Sequence, residues 1–425
     1  MRFLLVLLLA LAAGPAAGQV APVGSVSVAA KMESPAGMIG SPSIWLPEFD
    51  AGLPLSAAVV FGVGSTGAPV AVAFDGGVIP LTIFFDRTYR DPKQPTNQDW
   101  MLITNTAVGY GLSVQGRARS VLTMSAYRYF AFDGVSELDE VSAPSPPAPR
   151  LGSDLATSIE PGHLIFTAYD TKLNGYHLSV FDGGVSYDTN FTGGGTSGNQ
   201  AVFNETINVV TGIPGGDMLV GTRAGQQLDA GAVYSVNRSL KQSSIKTLIQ
   251  GYPVGKTLDG LAVYHANDVG DGGSADYGLV ASEHQLLLFQ LKPTFALIDY
   301  ILIQPSPFHL SYIGAIDPEG LAVSNLPIGP YDKGVVVVQA RGGIVAFLRW
   351  DDIVAAVDAG LPIDTSFDPR TYSTNSTANY DGGLNIPPLS SGIGDMPTTG
   401  CGGNGGISAG IVMLVGLAGL ARRRR

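Results

Sequence analysis

The sequence has one cysteine in 425 residues, so no disulfide can form within the chain, and Cys401 is either incidental or a target for processing. Charge is scarce as well: 14% of residues are charged, with 24 basic against 35 acidic, a net charge of −11. Binding a phosphate backbone by counterion release needs clustered Lys and Arg, so nucleic acid is excluded as an expected partner. Histidine is sparse: His163, His177, His265, His284 and His309 are scattered and show no metal-ligand spacing. Helical periodicity is rare. The clearest helix is "WDDIVAAVDAG" (350–360), which Asp351 or Asp352 would cap and Gly360 would end.

What the sequence does have is apolar residues and turn formers. Hydrophobic residues make up 45%, and 56 Gly and 28 Pro supply turns, a mixture that predicts a large core built from many short strands. Asp-Gly turns follow apolar runs in "VAVAFDGGV" (70–78), "YFAFDGV" (129–135) and "HLSVFDGGV" (177–185), and "YSVNRS" (234–239) ends another run. Asp-Gly after alternating apolar residues is a hairpin signal, because glycine supplies the positive φ without steric cost. The runs "AAVVFGV", "DWMLITN", "HLIFTAY", "DMLVGT", "YGLVASE" and "GVVVVQA" recur at intervals of roughly 40–60 residues, each followed by a second run. That spacing predicts an all-β, six-bladed β-propeller over residues 19–364, with a pair of β-sandwiches as the alternative. Residues 365–400, rich in Gly, Pro and Ser, lack apolar periodicity and read as a surface stalk.

The ends differ from the body. "MRFLLVLLLALAAGPAAGQ" has one basic residue, an apolar core and small residues near Ala16, Ala17 and Gly18, the layout of a secretory signal peptide over residues 1–18. At the other end, "PTTGCGGNGGISAGIVMLVGLAGLARRRR" holds an apolar stretch from about Gly402 to Ala421, long enough for a transmembrane helix, with Arg422–Arg425 on the cytoplasmic side. This tail, residues 401–425, resembles the MYXO-CTERM sorting signals of myxobacteria: a Cys-Gly motif, a membrane helix and an Arg cluster, in that order. The resemblance implies removal of the helix by a myxosortase-type processing enzyme near Cys401, and attachment of an exported protein at the cell surface or outer membrane. An uncleaved membrane anchor is the alternative.

Four body segments, in order, resemble the β-propeller phytases, six-bladed calcium-dependent phosphatases of phytate. "GSPSIWLPEFDAGLPLSAAVVFGVGSTGAPVAVAFDGG" (40–77) follows a family segment that contains "PAIW", with Ser43, Ile44 and Trp45 in register. "TLDGLAVYHANDVGDGGSADYGLVASEHQLLLFQL" (257–291) is similar to the family's "IEGLTIYY" region, and "FLRWDDIVAA" (347–356) to its closing "VPWERIA". The fullest match is "AIDPEGLAVSNLPIGPYDKGVVVVQA" (315–340), which sets Asp317, Glu319 and Gly320 before an apolar strand, an "IGP" turn and a second strand. The resemblance implies carboxylates at the blade mouths holding calcium between protein and substrate phosphate, with Asp259, Asp317 and Glu319 at acidic family positions as metal ligands. Acids next to glycine at strand ends also serve as plain turn caps, and that reading stays open.

Departures from the family pattern are specific. Gly40 and Ser41 stand where the family has paired aspartates before "PAIW"; "GTRAG" (221–225) replaces an acidic cluster; and "VAQD" ends here in Ala340 and Arg341. Lys172, in "YDTKLNGYH", and Arg223 are the candidates for binding phosphate directly, against the bland reading of solvated surface cations. "GVGSTG" (62–67) fits GxGxxG, but the strand-like "APVAVAF" follows where a dinucleotide fold needs a helix. "GISAG" (406–410) fits the hydrolase elbow but opens the tail's membrane segment. The expectation is a surface-anchored, phytase-like phosphatase using calcium to hold phosphate monoesters and activate water; the alternative is a degenerate propeller that binds a surface ligand or partner.

Overall fold

The computed structural model describes residues 25–33, 37–65, 67–84, 106–114, 117–124, 128–141, 155–157, 163–170, 175–182, 186–187, 202–203, 206–213, 217–222, 231–237, 245–250, 258–267, 274–282, 285–305, 316–357 and 359–371. The expected signal peptide, the segment 402–421 and Cys401 lie outside them. Among the described residues no helix is long and apolar enough to cross a membrane.

The first strand, β1 (Ser25–Glu33), precedes a sheet of β2 (Met38–Trp45), β3 (Val59–Gly64), β4 (Pro69–Ala73) and β5 (Val78–Ile79), hydrogen-bonded in that order. The next sheet holds β6 (Thr82–Phe84), β7 (Thr106–Val114), β8 (Arg117–Met124), β9 (Arg128–Phe132) and β10 (Glu137–Val141). A third holds β11 (Leu155–Thr157), β12 (His163–Asp170), β13 (Gly175–Asp182), β14 (Ser186–Tyr187) and β15 (Val202–Phe203), and a fourth β16 (Ile207–Gly212), β17 (Met218–Thr222), β18 (Ala232–Val236) and β19 (Lys246–Gln250). The rest form one eight-stranded sheet: β20 (Leu258–Ala266), β21 (Ala275–Ser282), β22 (Gln285–Lys292) and β23 (Ala296–Pro305), then β1, then β26 (Ile344–Arg349), β25 (Val335–Ala340) and β24 (Pro318–Ser324). Short antiparallel meanders of about four strands are the make-up of a β-propeller.

The leading strands of successive sheets touch in a closed cycle: β2 meets β7, β7 meets β11, β11 meets β16, β16 meets β20, β20 meets β24, and β24 returns to β2. Sheets so arranged cover one another on both faces. That is why "VVFGVG" and "VVVVQA" are buried at every position and read as unbroken apolar runs instead of alternating ones. One core cluster joins Trp45, Phe61, Phe74, Phe130 and Phe347, and another joins Tyr264, Leu288, Ile301, Val338 and Trp350, so the apolar cores lie between neighbouring sheets.

The Asp-Gly signals at 75–77 and 133–134 are hairpin turns as expected. Gly76 has φ 101° and Gly134 φ 84°, and Asp75 and Asp133 accept backbone N–H groups within their own turns. "GVGSTG" is the β3–β4 hairpin, closed by Gly64 N–H to Ala68 O at 2.7 Å, so it opens no helix. "DWMLITN" lies outside the described residues. The expected helix is α1 (Trp350–Val357), with Asp351 and Asp352 in its first turn and Gly360 at φ 65° beyond its end.

The first residues of the expected stalk, 365–371, continue a strap from Leu361 that packs on the sheets. Asp364 is clamped through its backbone: its N–H donates to the Tyr264 hydroxyl at 2.7 Å, and its C=O accepts from that hydroxyl at 3.0 Å and from Asn325 Nδ2 at 2.9 Å. Its carboxylate accepts from the Asn267 N–H at 2.6 Å and the Ser366 N–H at 2.7 Å. Arg370 then reaches the first sheet, donating to Pro47 O at 2.6 Å and lying 4.1 Å over the Phe49 ring. The strap therefore crosses the ends of β20, β24 and β2, three of the leading strands.

Candidate functional site

The other end of those strands carries the acids singled out in the sequence. β20 and β24 begin side by side, close enough that a Cβ on Gly260 would stand 2.9 Å from Leu321 N and 3.0 Å from the carbonyl carbon of Gly320. Only glycine permits that approach of two backbones. Asp259 and Glu319 are the residues just before these two glycines, so the sequence does bring their backbones together.

Their side chains diverge. Asp259 accepts a hydrogen bond of 2.6 Å from Asn208 Nδ2, on β16 of the preceding sheet. Glu319 turns the other way, toward β25: Gln339 Nε2 donates to its Oε2 at 3.2 Å, and Arg341 Nε donates to its Oε1 at 3.3 Å. Asp317, two residues earlier, lies 3.4 Å from Arg341 Nη1. Strand register explains the encounter. Pro318 pairs with Ala340, and the Arg341 N–H donates to Asp317 O at 2.9 Å, so Arg341 stands across from the two acids.

Asp317 and Glu319 are thus gathered around one guanidinium, and Asp259 is not with them. Among the described residues no group of three or more His, Cys, Asp or Glu side chains is placed to hold a metal ion. Calcium takes six to eight oxygen ligands, several of them anionic. A carboxylate pair already neutralised in part by Arg341, with the third acid committed to Asn208, does not fit that requirement. Asp317 and Glu319 are partly exposed, and the Arg341 side chain is 71% exposed, so this is a surface ion-pair cluster. Behind it, Gln339 is fully buried, and its Nε2 also donates to Met38 O at 3.3 Å and Ala340 O at 2.9 Å. The first of these bonds ties the site to the start of β2.

Lys172, Arg223 and His284 lie outside the described residues. Ser43, Ile44 and Trp45, the register of the N-terminal family match, join β2 to the next sheet. Ser43 Oγ is 3.1 Å from Thr106 Oγ1, Ile44 O accepts from the Tyr110 hydroxyl, and Trp45 Nε1 donates to Ser120 O at 3.2 Å. The roles of Asn208 and Gln339 were not readable in advance, since a neutral amide 51 or 20 residues from its acid carries no spacing signal. Arg341 did carry one, as the basic residue at the end of a strand where the family pattern is acidic.

No protein-family model matches the chain, and no curated protein matches it. Solved structures similar to it include a glucose dehydrogenase (TM-score 0.40, 11% identity, covering 75% of this chain and 98% of that one). They also include an Aleuria aurantia lectin mutant in complex with α-methyl-L-fucoside (TM-score 0.37, 12% identity, 76% and 90% covered) and the Dos1 propeller (TM-score 0.34, 12% identity, 68% and 74% covered). Likenesses of this size say nothing about the chemistry of the site.

Proposed function

We propose that this chain is a six-bladed propeller of the phytase type whose cation site has been replaced by an ion-paired surface, and that it acts as a ligand- or partner-binding protein outside the cytoplasm. The observation that carries the reading is Arg341 between Asp317 and Glu319, occupying with its own charge the place where a cation would be needed. Fold does not fix function, and a propeller that loses its ligands keeps a rigid rim on which loops present a surface. Support for six blades comes from the closed cycle of six leading strands, with the eight-stranded sheet counted as two blades joined by β1. Export, myxosortase-type processing near Cys401 and attachment at the cell surface are proposed on the tail's three-part pattern.

The second reading, a calcium-dependent phosphatase of phytate-type monoesters with Lys172 and Arg223 on the phosphate, is favoured by the four family-like segments and by the Gly260–Gly320 approach. One assay separates the two. Phosphate release from phytate and from an aryl phosphate is measured on the full chain with calcium and with chelator, alongside thermal unfolding with and without calcium. The binding-protein reading expects no calcium-dependent release and no calcium-induced rise in midpoint. Calcium-dependent turnover would overturn it and establish the phosphatase.

A further inference from the structure

Away from that site, three ionisable side chains form a buried row across one sheet. His265, Asp276 and Lys292 are register partners on β20, β21 and β22. Asp276 is fully buried and His265 nearly so. His265 Nδ1 lies 2.5 Å from Asp276 Oδ1, and Lys292 Nζ lies 3.2 Å from Asp276 Oδ2. Nζ and Oδ2 are both shut off from solvent. The edge of Phe367, from the strap, covers the His265 ring at 4.7 Å between centroids. His265 Nε2 faces the Asn267 side-chain oxygen at 3.1 Å, an acceptor, which makes Nε2 the donor. The proton between Nδ1 and Oδ1 is then one that either atom can hold.

A nucleophilic amine, a carboxyl group and a proton carrier in line, in a dry pocket, are the parts of an amide-forming site. We propose that Lys292 and Asp276 condense into an intramolecular isopeptide bond, with His265 as the group that moves the proton. The neutral amine adds to Cγ of the protonated carboxyl, one bond beyond the oxygen it already touches. The Nζ–Cγ bond forms and the Cγ–Oδ1 bond breaks. Oδ1 already holds the shared proton; the proton released by the amine passes to His265 Nδ1 and from there to Oδ1, which leaves as water, so the imidazole ends as it began. One water is lost, and no oxidant or reductant takes part. Holding two charges out of water is costly, and condensation removes both. The bond would tie β21 to β22 covalently in a chain whose single cysteine rules out an internal disulfide.

The sequence around the row makes a direct test possible. Glu283 is the sole glutamate between Asp276 and Lys292. The full chain is purified, denatured and cut with a glutamate-specific protease, and the fragments are weighed. The fragment that ends at Glu283 and the one that begins at His284 are expected to remain joined, lighter than their sum by one water. In Lys292→Arg, which keeps the charge and removes the reactive amine, they are expected to separate. Separate fragments from the natural sequence would overturn the bond, as would joined fragments from Lys292→Arg. His265→Gln is expected to lower the joined fraction; an unchanged fraction would overturn the part given to His265.

Discussion

Asp317 and Glu319 both lie within reach of one guanidinium, so they would repel each other unless a cation stood between them. Here the cation is Arg341, and its exposure sets what it is worth. An exposed ion pair contributes little, so Arg341→Ala is expected to change stability by less than about 1 kcal/mol in denaturant unfolding. Its effect on binding is the more telling measurement: titration calorimetry should find weak calcium binding in Arg341→Ala and none in the natural chain. Gly260 is the opposite case, where one methyl group has large consequences. Its Cβ would press on the backbone of Gly320 and Leu321, which cannot swing aside, so Gly260→Ala is expected to cost on the order of 2 kcal/mol or more. Asp133 gives a pH effect of defined sign. Partial burial pushes its carboxyl up, but the N–H groups of Glu137, Val135 and Ser136, each donating to Oδ1 at 2.8 Å, outweigh that and hold it below the usual carboxylate value. A depressed native value stabilises the fold above the unfolded carboxylate value and is lost as pH falls through the native one. Asp133→Asn should therefore flatten the acid limb of the stability curve below about pH 4.

Among the elements, the strap is held by directed hydrogen bonds more than by apolar burial. Tyr264→Phe removes the hydroxyl that serves both the N–H and the C=O of Asp364, and is expected to cost about 1–3 kcal/mol in thermal or denaturant unfolding. The same feature explains why 365–371 read as stalk. A segment fixed by Asp364, Ser366, Asp368 and Arg370 has no apolar period to find, because its one buried ring, Phe367, is a single apolar position that does not repeat along the chain. Elements whose information is local were legible: α1 from its acidic first turn and terminal Gly360, the hairpins from Asp75-Gly76 and Asp133-Gly134, and β25 from an unbroken run of valines. The acids at the starts of β20 and β24 were legible as positions too. Their orientation was not, because the side to which Asp259 or Glu319 turns depends on partners in other sheets. The row of His265, Asp276 and Lys292 was hidden for the same reason: strand register aligns the three residues, and no fixed spacing announces it.

At the scale of the whole molecule, the ring closes through its first strand. β1 pairs in parallel with β23 over Ser25–Ala30 and antiparallel with β26 over Lys31–Glu33, so one segment bridges the two parts of the eight-stranded sheet. Without it, β23 and β26 would each expose an unpaired edge, and the first sheet would be held to the last by the packing of β2 on β24 and β25, the Phe74–Phe347 contact and the strap, with no strand shared between them. Each hydrogen bond in such a pairing is worth about 1 kcal/mol net, and a folded domain is stable by only about 5–15 kcal/mol, so losing the strand consumes most of the margin. A chain that starts at residue 19 keeps β1 whole and is expected to unfold in one cooperative transition. A chain that starts at residue 34 is expected to unfold at a much lower temperature with a broadened transition, followed by circular dichroism and calorimetry. A synthetic peptide of residues 25–33 added in trans should restore part of the lost midpoint by adding its strand to the open edge, as extended peptides do on other exposed sheets. An unchanged midpoint in the shortened chain would mean that the ring closes without β1.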